Sequence, residues 1–216
     1  MRPTVFGAMD GLVTNASLII GVSGGGLSAH STIVTGLAGL VAGSFSMATG
    51  EFISVTSQNE LTDAEAALEK DKLERFPEAE EEELAEALAG YGLDAALAKQ
   101  VAAEISKRPD AAFRMHTREE FGIDPDDLAS PWVAAGLSLI SFALGAVIPL
   151  APYLAGARGL LVTLLVFAVA LFVGGEAVGR VTSRPPLLSG IRQLVLGSLA
   201  ALVTYGIGRA IGTWFH

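Results

Sequence analysis

The chain has 216 residues, a mean hydropathy of +0.51 and only 17% charged residues, a composition that excludes an ordinary soluble domain. It has no cysteine, which excludes disulfides and thiolate metal sites. The net charge is −9, and residues 60–127 hold 20 of the 23 acidic residues but only 8 of the 14 basic ones. This acidic balance argues against a nucleic-acid partner.

Long apolar runs on both sides of the acidic segment predict membrane-spanning helices. About 18 consecutive uncharged, mostly apolar residues suffice to cross a bilayer as a helix. The uncharged stretch Gly11–Gly50 is too long for one span, and it breaks into two around Gly24–Ser31. Three further spans are predicted at Ser130–Ala157, Gly159–Gly175 and about Ile191–Phe215. We expect the first helix to be retained rather than cleaved as a signal peptide, because its leading region has one basic residue and contains Asp10.

The acidic segment carries the start and stop signals of short helices. Thr62 and Glu65 form a capping-box pattern, Pro77 suits a first helical turn, and Asp94 suits an N-cap. The predicted helices are Thr62–Arg75, Pro77–Tyr91, Asp94 to about Lys107, and Ala111–Phe121. The sequence therefore predicts an all-α membrane protein of five transmembrane helices with a helical insert between the second and third. Its predicted divisions are residues 1–59, 60–129 and 130–216.

Lysine and arginine in the loops predict the orientation. The loops after the first and third spans are poor in these residues, whereas the N-terminus, the insert and the Arg180–Arg192 connection are richer. The positive-inside rule then places the N-terminus and the insert in the cytoplasm and the C-terminus outside.

Three residues of the first two spans are candidates for an ion path. Asp10 is a carboxylate on a membrane helix, where an uncompensated charge is expensive. Met47 alone would be ordinary packing, but beside a carboxylate its thioether favours iron(II) over magnesium or calcium. Glu51 shares a helix face with Met47, and it either extends the path to the cytoplasmic mouth or marks the end of the span. Glu176 and Arg180, also four residues apart, are predicted to form a structural ion pair.

The insert offers carboxylates and one histidine at helical spacing. Glu80 and Glu83 share a face of one helix, His116 and Glu120 share a face of another, and Glu69 comes from the helix before them. Converged, they would form an oxygen-rich site with one nitrogen, suited to iron(II), manganese(II), zinc or cobalt. Each pair alone is equally typical of a solvated helix face. No Walker, GxSxG or HExxH pattern occurs, so the sequence gives no sign of an enzyme.

Two membrane runs resemble the vacuolar iron transporter family. The segment from Asp10 to Gly21, DGLVTNASLIIG, resembles the opening signature of that family, and Gly39–Glu51 resembles its second helix in bacterial members. The similarity continues through the insert to Glu119–Ile123. The resemblance implies a five-span homodimer with a cytoplasmic metal-binding insert. Such a protein exports iron(II), and often manganese(II), from the cytoplasm in exchange for protons, here across the inner membrane of a bacterium.

The same resemblance implies roles for individual residues. Asp10 and Met47 match ligands of the translocation path, and four glutamates match those of the metal-binding domain: Glu69, Glu80, Glu83 and Glu120. The chain departs from the pattern at Lys72, where a further glutamate is expected, and at His116-Thr117, where methionines are expected. It also has Gly39 where eukaryotic members have a glutamate. These departures bear on metal choice more than on transport.

The function predicted from the sequence is export of divalent transition metal by proton antiport. Metal ions, protons, the lipid bilayer and a second copy of the chain are the expected partners, and no prosthetic group is expected. One rival hypothesis is a membrane-anchored metal sensor or buffer that transports nothing. Another is a structural membrane protein whose acidic insert docks a basic partner.

Overall fold

The structure is a computed structural model that describes residues 2–122, 128–156 and 159–214, with the side chains of residues 2–4 and 120 outside the description. Over these ranges it contains eight helices: α1 Arg2–Gly24, α2 Ala29–Arg75, α3 Pro77–Gly90, α4 Ala95–Ser106, α5 Pro109–Phe121, α6 Pro131–Leu154, α7 Leu160–Val181 and α8 Pro186–Trp214. Helices α1, α2, α6, α7 and α8 are long and apolar enough to cross a bilayer. The prediction of an all-helical protein with five spans is confirmed.

The chain forms two compact units. The first comprises Met1–Phe52 and Pro131–His216, and the second comprises Ile53–Ser130. Helix α2 contributes residues to both units.

Helix α1 is the centre of the first unit and packs against α6, α7 and α8. One side of α1 is buried against α7 and α8 in a cluster of Leu12, Ala16, Ile20, Phe167, Leu171 and Ala201. On another side, Ile19 packs with Leu150 and Tyr153 of α6. Apolar residues at helical spacing thus make α1 the buried helix of the unit.

Glycines set how closely the membrane helices approach one another. A methyl group at Gly145 of α6 would overlap the backbone of Ala8 in α1, and one at Gly208 of α8 would overlap that of Gly21. Backbone therefore meets backbone at both crossings, which only glycine permits. Helix α2 differs, because Gly36, Gly39 and Gly43 face side chains of α1 and α6: Leu150, Ile19, Leu18, Asn15 and Phe142.

One sequence prediction about α2 is wrong. The capping-box residues Thr62 and Glu65 do not begin a new helix, because α2 runs without a break from Ala29 to Arg75. No glycine or proline occurs between Glu51 and Arg75, so nothing in this segment stops the helix that leaves the membrane span. Thr62 and Glu65 are half-buried residues in the interior of this helix.

The other signals in the insert place the helix ends close to the prediction, except that α5 begins at Pro109, two residues before the predicted Ala111. Pro77 lies in the first turn of α3, the Asp94 carboxylate accepts a hydrogen bond of 2.9 Å from the backbone N–H of Ala96, and α5 ends at Gly122 with φ of 64°. The core of this unit is small and comes mainly from α3 and α4: Leu84, Ala85, Leu88, Ala98 and Ala102.

The last two membrane helices are longer than predicted. Helix α7 continues past Gly175 to Val181, and α8 begins at Pro186 rather than near Ile191. Arg180 Nη2 lies 3.0 Å from Glu176 Oε2, which confirms the predicted ion pair. The pair lies where α7 continues beyond its apolar run, and a pair at this spacing stabilises a helix by about 0.2–0.5 kcal/mol.

Candidate metal centre

Three ionisable side chains from three helices meet inside the second unit. Glu69 of α2, Glu80 of α3 and His116 of α5 are 0%, 6% and 4% exposed. His116 Nδ1 lies 3.3 Å from Glu69 Oε1 and 3.6 Å from Glu80 Oε2. Each residue offers one ligand atom, and the three atoms lie within 4.8 Å of one another. We call this group the Glu69–Glu80–His116 cluster.

The local sequence explains how the cluster assembles. Glu69 lies near the end of α2, and the Phe76-Pro77 break lets the chain turn into α3. Glu80 then lies in the first turn of α3, where the helix dipole favours a carboxylate. Beside His116 on α5, the Thr117 hydroxyl is occupied within its own helix, since it donates to the carbonyl of Phe113 at 2.9 Å.

The chemistry of the cluster suits a transition metal. Burying two carboxylates away from water costs several kcal/mol unless a cation compensates them. Two carboxylate oxygens and one imidazole nitrogen are donors that iron(II), manganese(II), cobalt(II) and zinc accept. Of the predicted insert ligands, the structure brings Glu69, Glu80 and His116 together.

Lys72 also reaches the cluster. Its ammonium Nζ lies 3.0 Å from Glu69 Oε2, and its side chain is 29% exposed. From the sequence, Lys72 is only a lysine where the family pattern has a glutamate, and its contact with Glu69 is not predicted. The available signal was the spacing of three between Glu69 and Lys72, which places two side chains on one helix face.

Glu83 lies apart from the cluster. It is exposed, and it borders a cleft of about 170 Å³ whose other wall includes His116 and Glu119. The Tyr91 hydroxyl donates a hydrogen bond to Glu119 Oε1, and that carboxylate raises the pKa of Tyr91. The side chain of Glu120 lies outside the described residues, so its predicted role stays a prediction.

In the first unit, Asp10 lies on an exposed face of α1. Thr14, one turn later, donates from Oγ1 to Asp10 Oδ1 at 3.3 Å. Thr14 and Ser17 also line a groove of about 510 Å³ between α1 and α8, with Thr204 on the opposite side. The polar face of α1 therefore continues from Asp10 along the helix. The sequence indicates this face, because Asp10, Thr14 and Ser17 follow one another at spacings of four and three residues.

Asn15 holds α1 against α6. It is fully buried, and its Nδ2 donates to the carbonyl of Ala146 at 2.6 Å. Its Oδ1 faces α2, where a methyl group at Gly39 would lie 2.9 Å away. The space that a longer side chain would need at Gly39 is thus already occupied by Asn15 and Leu18.

Met47 and Glu51 lie one turn apart on α2, and both are partly buried. Gly36 lies beside Ile19 and Gly39 beside Asn15, so α2 runs antiparallel to α1. Continuing this register places Met47 at the depth of the Asp10 end of α1. This register predicts a similar depth for Asp10 and Met47, on neighbouring helices.

Comparison with known proteins supplies the family. The family model described as VIT family matches residues 1–209. The chain is similar to vacuolar iron transporter 1 of Eucalyptus grandis, with 27% identity over 98% of this chain and 86% of the relative. It is similar to a vacuolar iron transporter of Acanthamoeba castellanii, with 33% identity over 96% of this chain and 77% of the relative. A vacuolar iron transporter homolog of Oryza sativa is 34% identical over 98% of this chain and 74% of its own length.

These relatives carry the name of iron transporters, not of enzymes, and their similarity extends along both compact units. The five apolar helices agree with an integral membrane protein. With a family model that covers nearly the whole length, this chain belongs to the VIT family.

Proposed function

We propose that the protein exports divalent transition metal from the cytoplasm, iron(II) and also manganese(II), in exchange for protons. The observation that carries the proposal is the buried Glu69–Glu80–His116 cluster in a chain that also has a membrane carboxylate at Asp10. The names of its relatives support iron as the cargo. A site of two carboxylates and one imidazole extends the choice to manganese(II), with cobalt(II) and zinc as further candidates.

In this proposal the insert captures the ion and the membrane unit moves it. The ion would pass the mouth near Glu51 and reach Asp10 and Met47, for which the α1–α2 register predicts a similar depth. A protonated carboxyl is a poor ligand, so a proton arriving at Asp10 from the outer side would release the metal there. Thr14, which already donates to Asp10, would hold the empty carboxylate in place.

A second copy of the chain belongs to the proposal. Asp10 is exposed on the single protomer, and facing lipid would be expensive for its carboxylate. Helix α2 is also largely uncovered in the protomer and exposes Val34, Val41 and Phe45. A homodimer that covers the Asp10 face would remove that carboxylate from lipid and enclose an ion path.

The proposed orientation follows from loop charge. Arg184 lies in the short connection between α7 and α8, and counting five crossings along the chain would put that connection on the same side of the membrane as the N-terminus. With that side cytoplasmic, as the positive-inside rule favours, the cluster would face the cytoplasmic metal pool. The inner membrane of a bacterium is the proposed location.

Flux measurements test the proposal. In proteoliposomes with an imposed pH gradient, the wild type should move iron(II) and manganese(II), and Asp10→Asn and Met47→Leu should lose at least nine-tenths of that flux. Ser46→Ala serves as the matched control, because Ser46 is the exposed neighbour of Met47 on α2. Full flux in both variants would contradict the path, and metal binding without any flux in the wild type would favour a membrane-anchored sensor or buffer.

A further inference from the structure

We infer that Lys72 is a tethered cation at the Glu69–Glu80–His116 cluster, which neutralises part of the empty site and lowers its affinity for metal. The inference rests on the proposed metal-binding role of the insert. It adds a residue that sets how tightly the ion is held, and therefore how readily it is passed on.

The contacts of Glu69 carry the inference. Its two carboxylate oxygens point to different partners, since Oε2 lies 3.0 Å from Lys72 Nζ and Oε1 lies 3.3 Å from His116 Nδ1. Glu69 itself is completely buried. The Lys72 ammonium is therefore a positive charge in direct contact with one of two neighbouring buried carboxylates.

A bound metal ion would lie close to that ammonium. An ion held at Glu69 Oε1 would share one carboxylate with that ammonium, which contacts Oε2. A divalent ion and an ammonium on the same carboxylate repel each other strongly where water is largely excluded. Lys72 is 29% exposed and its stem is flexible, so it can swing toward solvent as the ion enters. Metal capture then becomes an exchange of one cation for another.

The charge of Lys72 favours passing metal on over storing it. A cluster whose empty state already has a counter-cation gains less by binding metal than an unneutralised one. It therefore releases metal more easily, as a protein that passes ions onward needs. The opposite interpretation is that Lys72 only orients Glu69 for metal, and this predicts the opposite sign in the experiment below.

The test is calorimetric titration of the purified full-length protein in detergent with manganese(II) and with cobalt(II). Lys72→Gln removes the charge but keeps a hydrogen-bond donor for Glu69. We expect it to bind each ion at least tenfold more tightly than the wild type. Lys70→Gln is the matched control, because Lys70 is exposed on the same helix, and its affinity should stay within twofold. Lys72→Arg keeps the charge and should also stay near the wild type.

Each outcome decides the matter. Equal or weaker binding by Lys72→Gln, or tighter binding by Lys72→Arg, would overturn the role of the charge while leaving a metal-binding insert intact. If wild type and variants all fail to bind either ion, the proposed function of the insert fails instead. If Lys72→Gln does not fold, Lys72→Met is judged by the same criterion.

Discussion

Replacing Glu80 by glutamine should strengthen the metal-free insert and abolish its response to metal. The facing oxygens of Glu69 and Glu80 lie no more than 4.8 Å apart, and both side chains are buried. Glutamine has almost the same shape as glutamate but carries no charge. The substitution therefore removes a like-charge repulsion without opening a cavity, and it also removes an anionic metal ligand.

The size of the effect follows from the distance. At 4.8 Å and an effective dielectric constant of about 20, two carboxylates repel each other by roughly 3.5 kcal/mol. Attraction of Glu80 to the Lys72 ammonium, which contacts the neighbouring Glu69, offsets part of this repulsion. The metal-free variant should therefore gain about 1–2 kcal/mol in the free energy of local opening. For the metal, loss of a charged ligand should weaken binding about 100-fold, equivalent to about 2.7 kcal/mol.

Hydrogen exchange of the full-length protein measures both effects. Protection of backbone amides in α3 to α5 reports the free energy of local opening. The assay runs at one fixed pH, with and without cobalt(II) at 100 times the wild-type dissociation constant. Cobalt(II) should stabilise the wild type by about 2.7 kcal/mol and the Glu80→Gln variant by only about 0.4 kcal/mol.

Glu86→Gln is the control, because Glu86 is exposed on the same helix, six residues further along, and is not among the predicted ligands. It should behave as the wild type in both states. The reasoning is refuted if Glu80→Gln weakens the metal-free insert, or if it keeps the full stabilisation by cobalt(II).

Two further outcomes follow from the packing and from the charges. Gly145→Leu should prevent the α1–α6 contact and yield protein that aggregates in size-exclusion chromatography. Gly136→Leu on the same helix is the control and should remain monodisperse, because a side chain there meets nothing within 4 Å. Similar elution of the two variants would contradict the backbone contact. Lys107 lowers the pKa of Glu104 below its ordinary value of 4.5, so this exposed pair contributes a small stability at neutral pH that is lost as the pH falls through the lowered value. Thermal unfolding of Lys107→Gln should accordingly differ from the wild type at pH 7 and converge with it at pH 3, and a difference that grows in acid would show the opposite sign.

The membrane part of the fold was predictable because a single physical constraint dominates it. A helix in lipid must be long and apolar, and the runs around Ile19, Leu150, Leu171 and Leu199 meet that demand. The ends were less predictable. Thr62 and Glu65 look like a helix start, but no breaker separates them from the span before, and continuity of α2 prevailed.

The candidate site was predictable only in outline. Helical spacing relates Glu80 to Glu83 and His116 to Glu120, but spacing cannot tell which member of a pair turns inward. The structure buries Glu80 and leaves Glu83 exposed, because α3 presents the face that also carries Leu84 and Leu88 to the core. The proximity of Glu69, Glu80 and His116 depends on how three helices pack, which no local pattern contains.

The two kinds of glycine contact have a consequence for motion. Helix α1 meets α6 and α8 backbone to backbone, so sliding or rotating it would drive main-chain atoms into one another. Helix α2 instead rests on the tips of Leu18, Leu150 and Phe142, and the far end of a side chain can shift where main-chain atoms cannot. We therefore expect α1 to serve as the fixed part of any alternating-access cycle, with α2 moving past it. Spin labels on α1 and α6 should keep one distance under all ionic conditions, while the distance from α1 to α2 should change with metal and pH.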